Sequence, residues 1–144
     1  MKKILFLCTG NSCRSQMAEG WARALFPGKI EAYSAGTRPG SEVEPRAIKV
    51  MAEVGVDISA QRPKHADAFR DGVFDLVVTL CDHANENCPV YRGGRKIHRG
   101  FDDPATAAGK DSSEEAALPV YRRVRDEIKA FVAGLPEMLR ETAG

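Results

Sequence analysis

Two short apolar runs without polar alternation constrain this chain more than any other feature. Residues 3–7 and 74–80 are mostly apolar, and the second run is rich in β-branched side chains. A strand with this pattern is covered on both faces, as in the parallel sheet of an α/β protein. Helical segments lie between the predicted strands, so each parallel connection crosses over through a helix. The sequence therefore predicts an α/β fold with helices on both faces of the sheet.

Turn residues and helical periodicity place the other elements. Weaker strands are predicted at residues 30–35 and 96–101, and helices at residues 45–54 and 113–139, with another helix opening after the first strand. Four strands favour a parallel sheet in the flavodoxin-like order 2-1-3-4. That order places strand 1 beside strand 3, with a ligand crevice at their carboxyl ends. The 144 residues are expected to form a single domain, 1–144.

Composition excludes several classes of partner. Lys and Arg total 21 against 20 for Asp and Glu, so no broad field attracts nucleic acid or an anionic membrane. The first apolar run is too short for a secretory signal, and no stretch reaches transmembrane length. We therefore expect a cytoplasmic monomer that binds neither nucleic acid nor membrane.

The octapeptide CTGNSCRS, which begins at Cys8, has the composition of an anion-binding loop. Cys8 and Arg14 are separated by five residues between a strand and a helix, where backbone N–H groups converge on an anion. Gly10 and Asn11 tolerate the positive φ angles that such a loop needs. Arg14 offers a planar fork to two oxygens of one oxyanion, and its charge favours the reactive thiolate of Cys8. Ser15 is placed to donate a hydrogen bond to that thiolate.

The loop residues also have a simpler explanation. Cys8 alone would usually be a small buried side chain in a strand-to-helix turn. That explanation leaves Gly, Asn, Arg and Ser in one turn unaccounted for, and a Walker loop is excluded because GxxxxGK[ST] is missing. Cys13 is expected to turn its side chain away from the anion. The predicted oxyanion contacts come from the loop itself: Thr9, Gly10, Asn11, Ser12, Cys13 and Arg14.

A carboxyl group near the nucleophile would serve as the general acid. Asp103 precedes Pro104 in the loop after the fourth predicted strand, at the same edge of the sheet as Cys8. It is the favoured proton donor to a departing oxygen. Asp102 is the competing choice, and either carboxylate could instead cap the following segment.

Two further cysteines follow the other buried strand. Cys81 ends that strand as Cys8 ends the first, and adjacent strands lie about 4.8 Å apart, close to what a disulfide requires. Cys88 comes seven residues later. On a helix it would stand about 10.5 Å from Cys81, so pairing the two requires the intervening segment to unwind. The arrangement suits a relay in which Cys81 attacks Cys8 and Cys88 then attacks Cys81.

Two alternatives for the later cysteines stay open. Cys81 and Cys88 could be unrelated buried thiols, or they could hold zinc with His83 or His98. Zinc sites usually contain closer pairs such as CxxC, which this sequence lacks. The order of preference is therefore the relay, then buried thiols, then zinc.

Four motifs together resemble a known family. CTGNSCRSQMAEGW, YSAG, DLVVTLCDHANENCP and GFDDPA are similar to the thioredoxin-coupled arsenate reductases, which share the fold of low-molecular-weight protein tyrosine phosphatases. The similarity spans nearly the whole chain, and the three-cysteine pattern is its most specific part. It implies arsenic detoxification by reduction of arsenate to arsenite, with reduced thioredoxin as electron donor and no bound cofactor. Phosphate and sulfate would be competing oxyanions.

The resemblance also implies a role for each reacting residue. Cys8 attacks arsenate held on the loop with Arg14, and Asp103 protonates the departing oxygen. Cys81 then attacks Cys8, arsenite leaves, and a Cys8–Cys81 disulfide remains. Cys88 takes over Cys81, the intervening helix rearranges, and thioredoxin reduces the exposed disulfide.

Two other functions compete with this one. A low-molecular-weight protein tyrosine phosphatase would use Cys8, Arg14 and Asp103 in the same places. Such phosphatases resemble one another in aromatic residues after Asp-Pro, whereas Ala105 and Thr106 follow here, and they lack the later cysteine pair. Residual activity on small aryl phosphates remains compatible with the sequence. The other alternative is a module that binds oxyanions without turnover.

Some relatives of this kind hold a structural potassium ion. The resemblance suggests no other metal ion. The matching residues here are Asn11, Glu19 and Ser34, completed in those relatives by an Asp whose position is Lys64 in this chain. An ammonium at that place would replace the cation, which argues against a potassium requirement. The alternative is that Lys64 is a solvated surface lysine.

Overall fold

The centre of the molecule is a four-stranded parallel sheet. Its strands are β1 (Lys2–Cys8), β2 (Ile30–Gly36), β3 (Val73–Thr79) and β4 (Arg92–His98). Their order, β2-β1-β3-β4, confirms the predicted order 2-1-3-4. The computed structural model describes residues 1–109 and 111–143.

Helices cover both faces of this sheet, which confirms the predicted class. They are α1 (Arg14–Leu25), α2 (Pro45–Glu53), α3 (Asp82–Glu86), α4 (Pro104–Ala108), α5 (Glu114–Ala133) and α6 (Leu135–Ala143), with a 3₁₀ turn at Ala66–Phe69. Ile4 and Phe6 of β1 belong to the main core, with residues of α1, α2 and α5. Leu5 and Leu7 join a smaller cluster with Ala84 of α3. Because β1 is buried on both sides, its sequence shows no alternation. Among the described residues, no helix combines the length and apolarity needed to cross a bilayer.

The structure corrects two predicted boundaries. The fourth strand is Arg92–His98 rather than residues 96–101, and nearly all of it is exposed. An edge strand that buries little more than Ile97 carries no apolar alternation, so periodicity could not locate it. The final helix, predicted over residues 113–139, is two helices that meet at Gly134. The apolar stripe of the sequence continues across Gly134, so the hydrophobic pattern did not indicate that the helix ends there.

The register of the sheet brings the ends of β1 and β3 to one edge. Leu7 pairs with Thr79, and the Leu80 N–H donates to the Leu7 carbonyl oxygen at 2.8 Å. Cys8 and Cys81, the next residues on each side, therefore leave the sheet as neighbours. This is the edge at which the sequence places the ligand crevice.

Candidate active site

The loop between β1 and α1, residues 8–14, is called here the Cys8 loop, and its carbonyl groups turn outward. The Asn11 carbonyl accepts from the side chain of Gln16 at 3.0 Å. Backbone N–H groups of residues 37–44 donate to four others at 2.8 to 3.2 Å, those of Cys8, Thr9, Gly10 and Ser12. In a trans peptide the C=O and N–H groups point in opposite directions. The N–H groups of residues 9–13 therefore face the space that the loop encloses, as an anion site requires.

Asn11 braces this loop. Its φ of 50° lies in the left-handed region that an Asn tolerates. Its amide Nδ2 donates to Ser15 Oγ at 2.7 Å, and its Oδ1 accepts from the Lys64 N–H at 2.9 Å. Ser15 Oγ donates in turn to Cys8 Sγ at 3.4 Å, and Cys8 is only 2% exposed. A chain of hydrogen bonds thus fixes the Ser15 hydroxyl against Cys8 Sγ, the contact that the sequence predicted.

Arg14 begins α1 and reaches the segment that follows β4. Its guanidinium donates to the Phe101 carbonyl oxygen at 3.1 Å and lies 4.0 Å from the Asp103 carboxylate. Both contacts border a cleft of about 360 Å³, lined by Arg14, Cys81, Asp82, Gly100, Phe101, Asp102 and Asp103. The structure therefore brings the Cys8 loop, the second cysteine and the acidic pair to one place.

The two neighbouring aspartates have different surroundings. Asp102 turns to α5, where the Arg123 guanidinium lies 3.1 Å from its carboxylate. Asp103 faces the cleft and also caps α4, accepting from the Ala105 N–H at 3.2 Å and the Thr106 hydroxyl at 3.1 Å. The capping role considered for these residues is thus real, but it does not turn Asp103 away from the cleft. Both aspartates line the cleft, and Asp103 is the one whose carboxylate lies 4.0 Å from Arg14.

Sequence reasoning missed Glu44 and Tyr121, which support the Cys8 loop from behind. The Glu44 carboxylate accepts from the Ser12 hydroxyl at 3.4 Å and from the Tyr121 hydroxyl. Burial raises the pKa of Glu44, and the hydrogen bond from Tyr121 opposes that effect. Burial also holds the pKa of Cys13 well above the usual thiol value, with the charge of Glu44 adding to the rise. Cys13 is thus a buried thiol of the main core. The one sequence signal for Glu44 is its position directly before Pro45, at the start of α2.

Cys81 lies between β3 and α3. Its sulfur accepts from the Ala84 N–H at 3.4 Å and so caps the start of α3. The Thr9 hydroxyl lies 3.2 Å from the same sulfur. Cys81 therefore contacts the residue that directly follows Cys8, from the neighbouring strand.

Cys88 lies beyond the far end of α3. The helix spans only Asp82–Glu86, so it is shorter than the segment from which the spacing was estimated. The Cys88 thiol donates to the Pro89 carbonyl oxygen at 3.3 Å, and the side chain packs against the same apolar cluster as Cys81. Burial raises the pKa of Cys88, and the charge of Lys96 opposes the rise. All four cysteines are free thiols, and α3 lies between Cys81 and Cys88.

Among the described residues, His83 and His98 do not form a zinc site with Cys81 and Cys88. His98 contacts the Thr79 hydroxyl at 2.8 Å and lies 3.3 Å from Asp82. His83 contacts the side chain of Asn87. Over residues 1–109 and 111–143, no three side chains of the types His, Cys, Asp and Glu are grouped to hold a metal ion.

Positive charge surrounds the residues matched to a potassium site. Ser34 donates to Glu19 at 2.8 Å, and the Arg23 guanidinium lies 3.1 Å from the other Glu19 oxygen. Burial lowers the pKa of Lys64, and the charge of Glu19 opposes that effect. Lys64 is thus partly buried near Glu19, which argues against a fully solvated surface lysine. A cavity of about 730 Å³ adjoins Glu19, Arg23 and Lys64, and its lining residues lie outside the Cys8 loop.

Residues 3–143 match the family described as low molecular weight phosphotyrosine protein phosphatase. A relative from Halalkalibacterium halodurans, named arsenate reductase, is 50% identical over 128 residues, which are 88% of this chain and 89% of the relative. The similarity therefore extends over nearly the full length of both proteins.

Solved structures of two enzyme types share the fold. An arsenate reductase in an oxidized state has a TM-score of 0.75 and 36% identity, covering 96% of this chain and 99% of its own. A thioredoxin-dependent arsenate reductase from Corynebacterium glutamicum has a TM-score of 0.74 and 26% identity, covering 97% of this chain and 62% of its own. A low molecular weight protein tyrosine phosphatase from T. tengcongensis has a TM-score of 0.75 and 27% identity, covering 96% and 99%. The chain therefore belongs to the low molecular weight phosphotyrosine protein phosphatase family, within which it resembles bacterial arsenate reductases.

Proposed function

We propose that this protein reduces arsenate to arsenite through a relay of Cys8, Cys81 and Cys88, with a thioredoxin as electron donor. The contact between Cys81 and Thr9 carries the proposal. Ester hydrolysis needs only water after the nucleophile has reacted, whereas reduction needs a second thiol beside the first. Relatives named arsenate reductase support the reaction, and the thioredoxin-dependent neighbour supports the donor.

In the first step the Cys8 loop binds arsenate. The N–H groups of residues 9–13 and the Arg14 guanidinium hold its oxygens. The Cys8 thiolate attacks arsenic, and the Ser15 hydroxyl orients the attacking sulfur. One oxygen departs as water with a proton from the protonated carboxyl group of Asp103, which is left as a carboxylate and lies 4.0 Å from Arg14.

The following steps move two electrons. The Cys81 thiolate attacks Cys8 Sγ, the new S–S bond forms as the S–As bond breaks, and the electron pair stays on arsenic, which leaves as arsenite. Cys88 then attacks Cys81, and Cys8 returns as a thiolate. Reduced thioredoxin converts the Cys81–Cys88 disulfide back to two thiols, so the thioredoxin supplies the two electrons that arsenic gains.

A second function, slow hydrolysis of small aryl phosphates, is supported by the same loop and by the family. Cys8 would form a phosphocysteine on the loop, with Asp103 as the acid. The short side chains of Ala105 and Thr106 offer no aromatic wall for a phenol ring. We therefore expect hydrolysis to be weak.

We further propose that the chain acts as one domain, a monomer in the cytoplasm without a bound cofactor, on which phosphate and sulfate compete with arsenate. The charges of Arg23 and Lys64 near Glu19 argue against a potassium requirement. Replacing sodium chloride by potassium chloride at constant ionic strength should leave arsenate turnover unchanged. An increase that saturates with potassium would show that the site near Ser34 and Glu19 holds the ion.

The proposal is tested by following arsenate-dependent oxidation of reduced thioredoxin. The wild type should turn over many times, and Cys8→Ser, Cys81→Ser and Cys88→Ser should each lose sustained turnover. Cys81→Ser and Cys88→Ser should keep any hydrolysis of an aryl phosphate, which serves as the control for an intact Cys8 loop. Sustained arsenate reduction by either of these two variants would contradict the relay. Tight arsenate binding without arsenite formation by the wild type would instead indicate a binding module.

A further inference from the structure

Lys96 of β4 contacts the helix that separates the two later cysteines. Its ammonium group donates to the Asn85 carbonyl oxygen at 3.0 Å. Asn85 lies in the last turn of α3, where carbonyl groups have no partner within the helix. Neighbouring Ile97 packs against the main core on the opposite face of the sheet, consistent with Lys96 facing α3. The lysine therefore satisfies the end of α3 from the edge strand.

Cys88 needs a nearby positive charge. Its thiol is partly buried in an apolar cluster with Tyr91, and Cys88 and Lys96 line the same cavity of about 230 Å³. Burial raises the pKa of Cys88, and the charge of Lys96 opposes that rise. Tyr91 adds no negative charge near Cys88 at neutral pH, because burial and the charges of Cys88 and Asp67 raise the pKa of Tyr91 to about 12. Arg70 acts on Tyr91 in the opposite direction. Arg92 and Arg95 also line the cavity, but Lys96 is the cation that lowers the pKa of Cys88 and that also contacts α3.

This inference rests on the proposed relay, in which a positive charge near Cys88 would favour the thiolate that attacks Cys81. Cys88 loses its proton to solvent, and its thiolate attacks Cys81 Sγ of the Cys8–Cys81 disulfide. The Cys88–Cys81 bond forms as the Cys8–Cys81 bond breaks, and Cys8 leaves as a thiolate, so the number of electrons on the protein is unchanged. The rate depends on the fraction of Cys88 present as thiolate.

We infer that Lys96 is a positioning residue for this last exchange: its ammonium group anchors the end of α3 and supplies the positive charge beside which the Cys88 thiolate forms. The same side chain thus acts on the helix that must open and on the sulfur that must attack. The proposed substrate site lies at the other end of α3, beside Cys81 and the Cys8 loop.

The test measures conversion of the Cys8–Cys81 disulfide to the Cys81–Cys88 disulfide as a function of pH. After a single arsenate turnover without thioredoxin, samples are quenched with acid, remaining thiols are alkylated, and disulfides are mapped by mass spectrometry. Lys96→Gln should shift the midpoint of the pH profile upward by about one unit and slow the exchange about tenfold below the midpoint. At high pH, where the thiolate is fully formed, its rate should approach that of the wild type.

Two matched variants separate charge from packing. Lys96→Arg keeps the cation and should stay within about twofold of the wild type. Lys129→Gln removes one charge from α5, where the ammonium group lies 5.0 Å from the centre of the Trp21 ring, far from the cavity of Cys88, and it should leave the profile unchanged. Circular dichroism and an unchanged rate of arsenite release would show that Lys96→Gln is folded.

Two results would overturn the inference alone. One is a Lys96→Gln profile with the wild-type midpoint, and the other is a rate lowered equally at all pH values, which would indicate packing without a charge effect. Absence of the Cys81–Cys88 disulfide in the wild type would overturn the relay and the inference with it. If Lys96→Gln does not fold, the pH dependence of Cys88 alkylation in reduced Lys96→Met and wild-type protein decides the question, and an equal midpoint overturns the inference.

Discussion

The hydroxyl of Thr9 lies 3.2 Å from the sulfur of Cys81, although 72 residues separate them. Thr9 follows Cys8 at the end of β1, and Cys81 lies just beyond the end of β3. Since β1 and β3 are hydrogen-bonded neighbours, the parallel sheet brings the two residues together without a specialised loop. The contact gives Cys81 a hydrogen-bond partner at the point where it would attack Cys8.

Thr9→Val removes this hydroxyl and keeps the side-chain shape. We expect formation of the Cys8–Cys81 disulfide to slow about tenfold, because the Cys81 thiolate loses a hydrogen bond. Rapid-quench kinetics with thiol alkylation measure that step. Thr9→Ser is the matched control and should restore most of the rate. An unchanged rate in Thr9→Val would show that the contact has no role in the attack.

Asp103→Asn should lower arsenate turnover by about 10² to 10⁴, the usual effect of losing a general acid. Asp102→Asn should change turnover less than about threefold, since its partner is Arg123 on α5 and an exposed ion pair contributes little. Steady-state kinetics with thioredoxin measure both variants. A larger loss in Asp102→Asn than in Asp103→Asn would reverse the assignment of the acid.

Gly36→Ala tests the close packing behind the Cys8 loop. A Cβ at Gly36 would lie 2.5 Å from the Thr9 carbonyl oxygen and 3.0 Å from the Asn11 nitrogen. Both neighbours are backbone atoms, so the loop must shift, and we expect a loss of about 1 to 3 kcal/mol in the free energy of unfolding. Gly40→Ala is the control, because its Cβ would meet only the Gly10 carbonyl oxygen at 3.9 Å.

The Gly36→Ala shift should also weaken oxyanion binding. Urea unfolding measures the stability of both variants, and phosphate protection of Cys8 against alkylation measures the affinity of the loop. Equal affinity for phosphate in Gly36→Ala and Gly40→Ala would contradict a rigid, preformed loop.

Glu53 should contribute stability that depends on pH. The hydrogen bond from Arg122 is the main reason that the pKa of Glu53 is lowered in the folded protein. A carboxyl group with a lowered folded pKa stabilises the fold above its unfolded pKa, about 4.3, and loses that contribution as the pH falls through its folded pKa. Glu53→Gln should therefore cost up to about 1 kcal/mol near neutral pH and progressively less in acid.

Urea unfolding at neutral and acidic pH measures this difference. Glu127→Gln is the control, since Glu127 forms only an exposed pair with Arg123 on the same helix and should cost a few tenths of a kcal/mol, about the value for such pairs. A Glu53→Gln penalty that stays constant with pH would show that the charge of Glu53 does not contribute.

The parts of the site that follow directly from local patterns were predictable from the sequence. The runs that became β1 and β3 are buried on both faces, so their apolar pattern is strong and their ends could be placed. Cys8 and Cys81 follow those ends, and the strand order alone makes them neighbours. Asn11 adopts the positive φ that its residue type allows.

Other contacts of the site join side chains that are far apart in the sequence, and no local sequence pattern predicts such contacts. The hydrogen bond between Glu44, the residue before α2, and Tyr121 of α5 joins positions 77 apart in the sequence. Lys96 could be assigned to a contact with α3 only after β4 was located. That strand is mostly exposed, so the hydropathy pattern of its sequence does not reveal where it begins and ends.

A single turnover without an external reductant tests the central claim most directly. Reduced enzyme is mixed with excess arsenate, arsenite is quantified, and disulfides are mapped after alkylation. The relay predicts one arsenite per enzyme and a Cys81–Cys88 disulfide in the wild type, and a Cys8–Cys81 disulfide in Cys88→Ser. Arsenite formation without either disulfide, or a reduced enzyme that forms no arsenite, would contradict it.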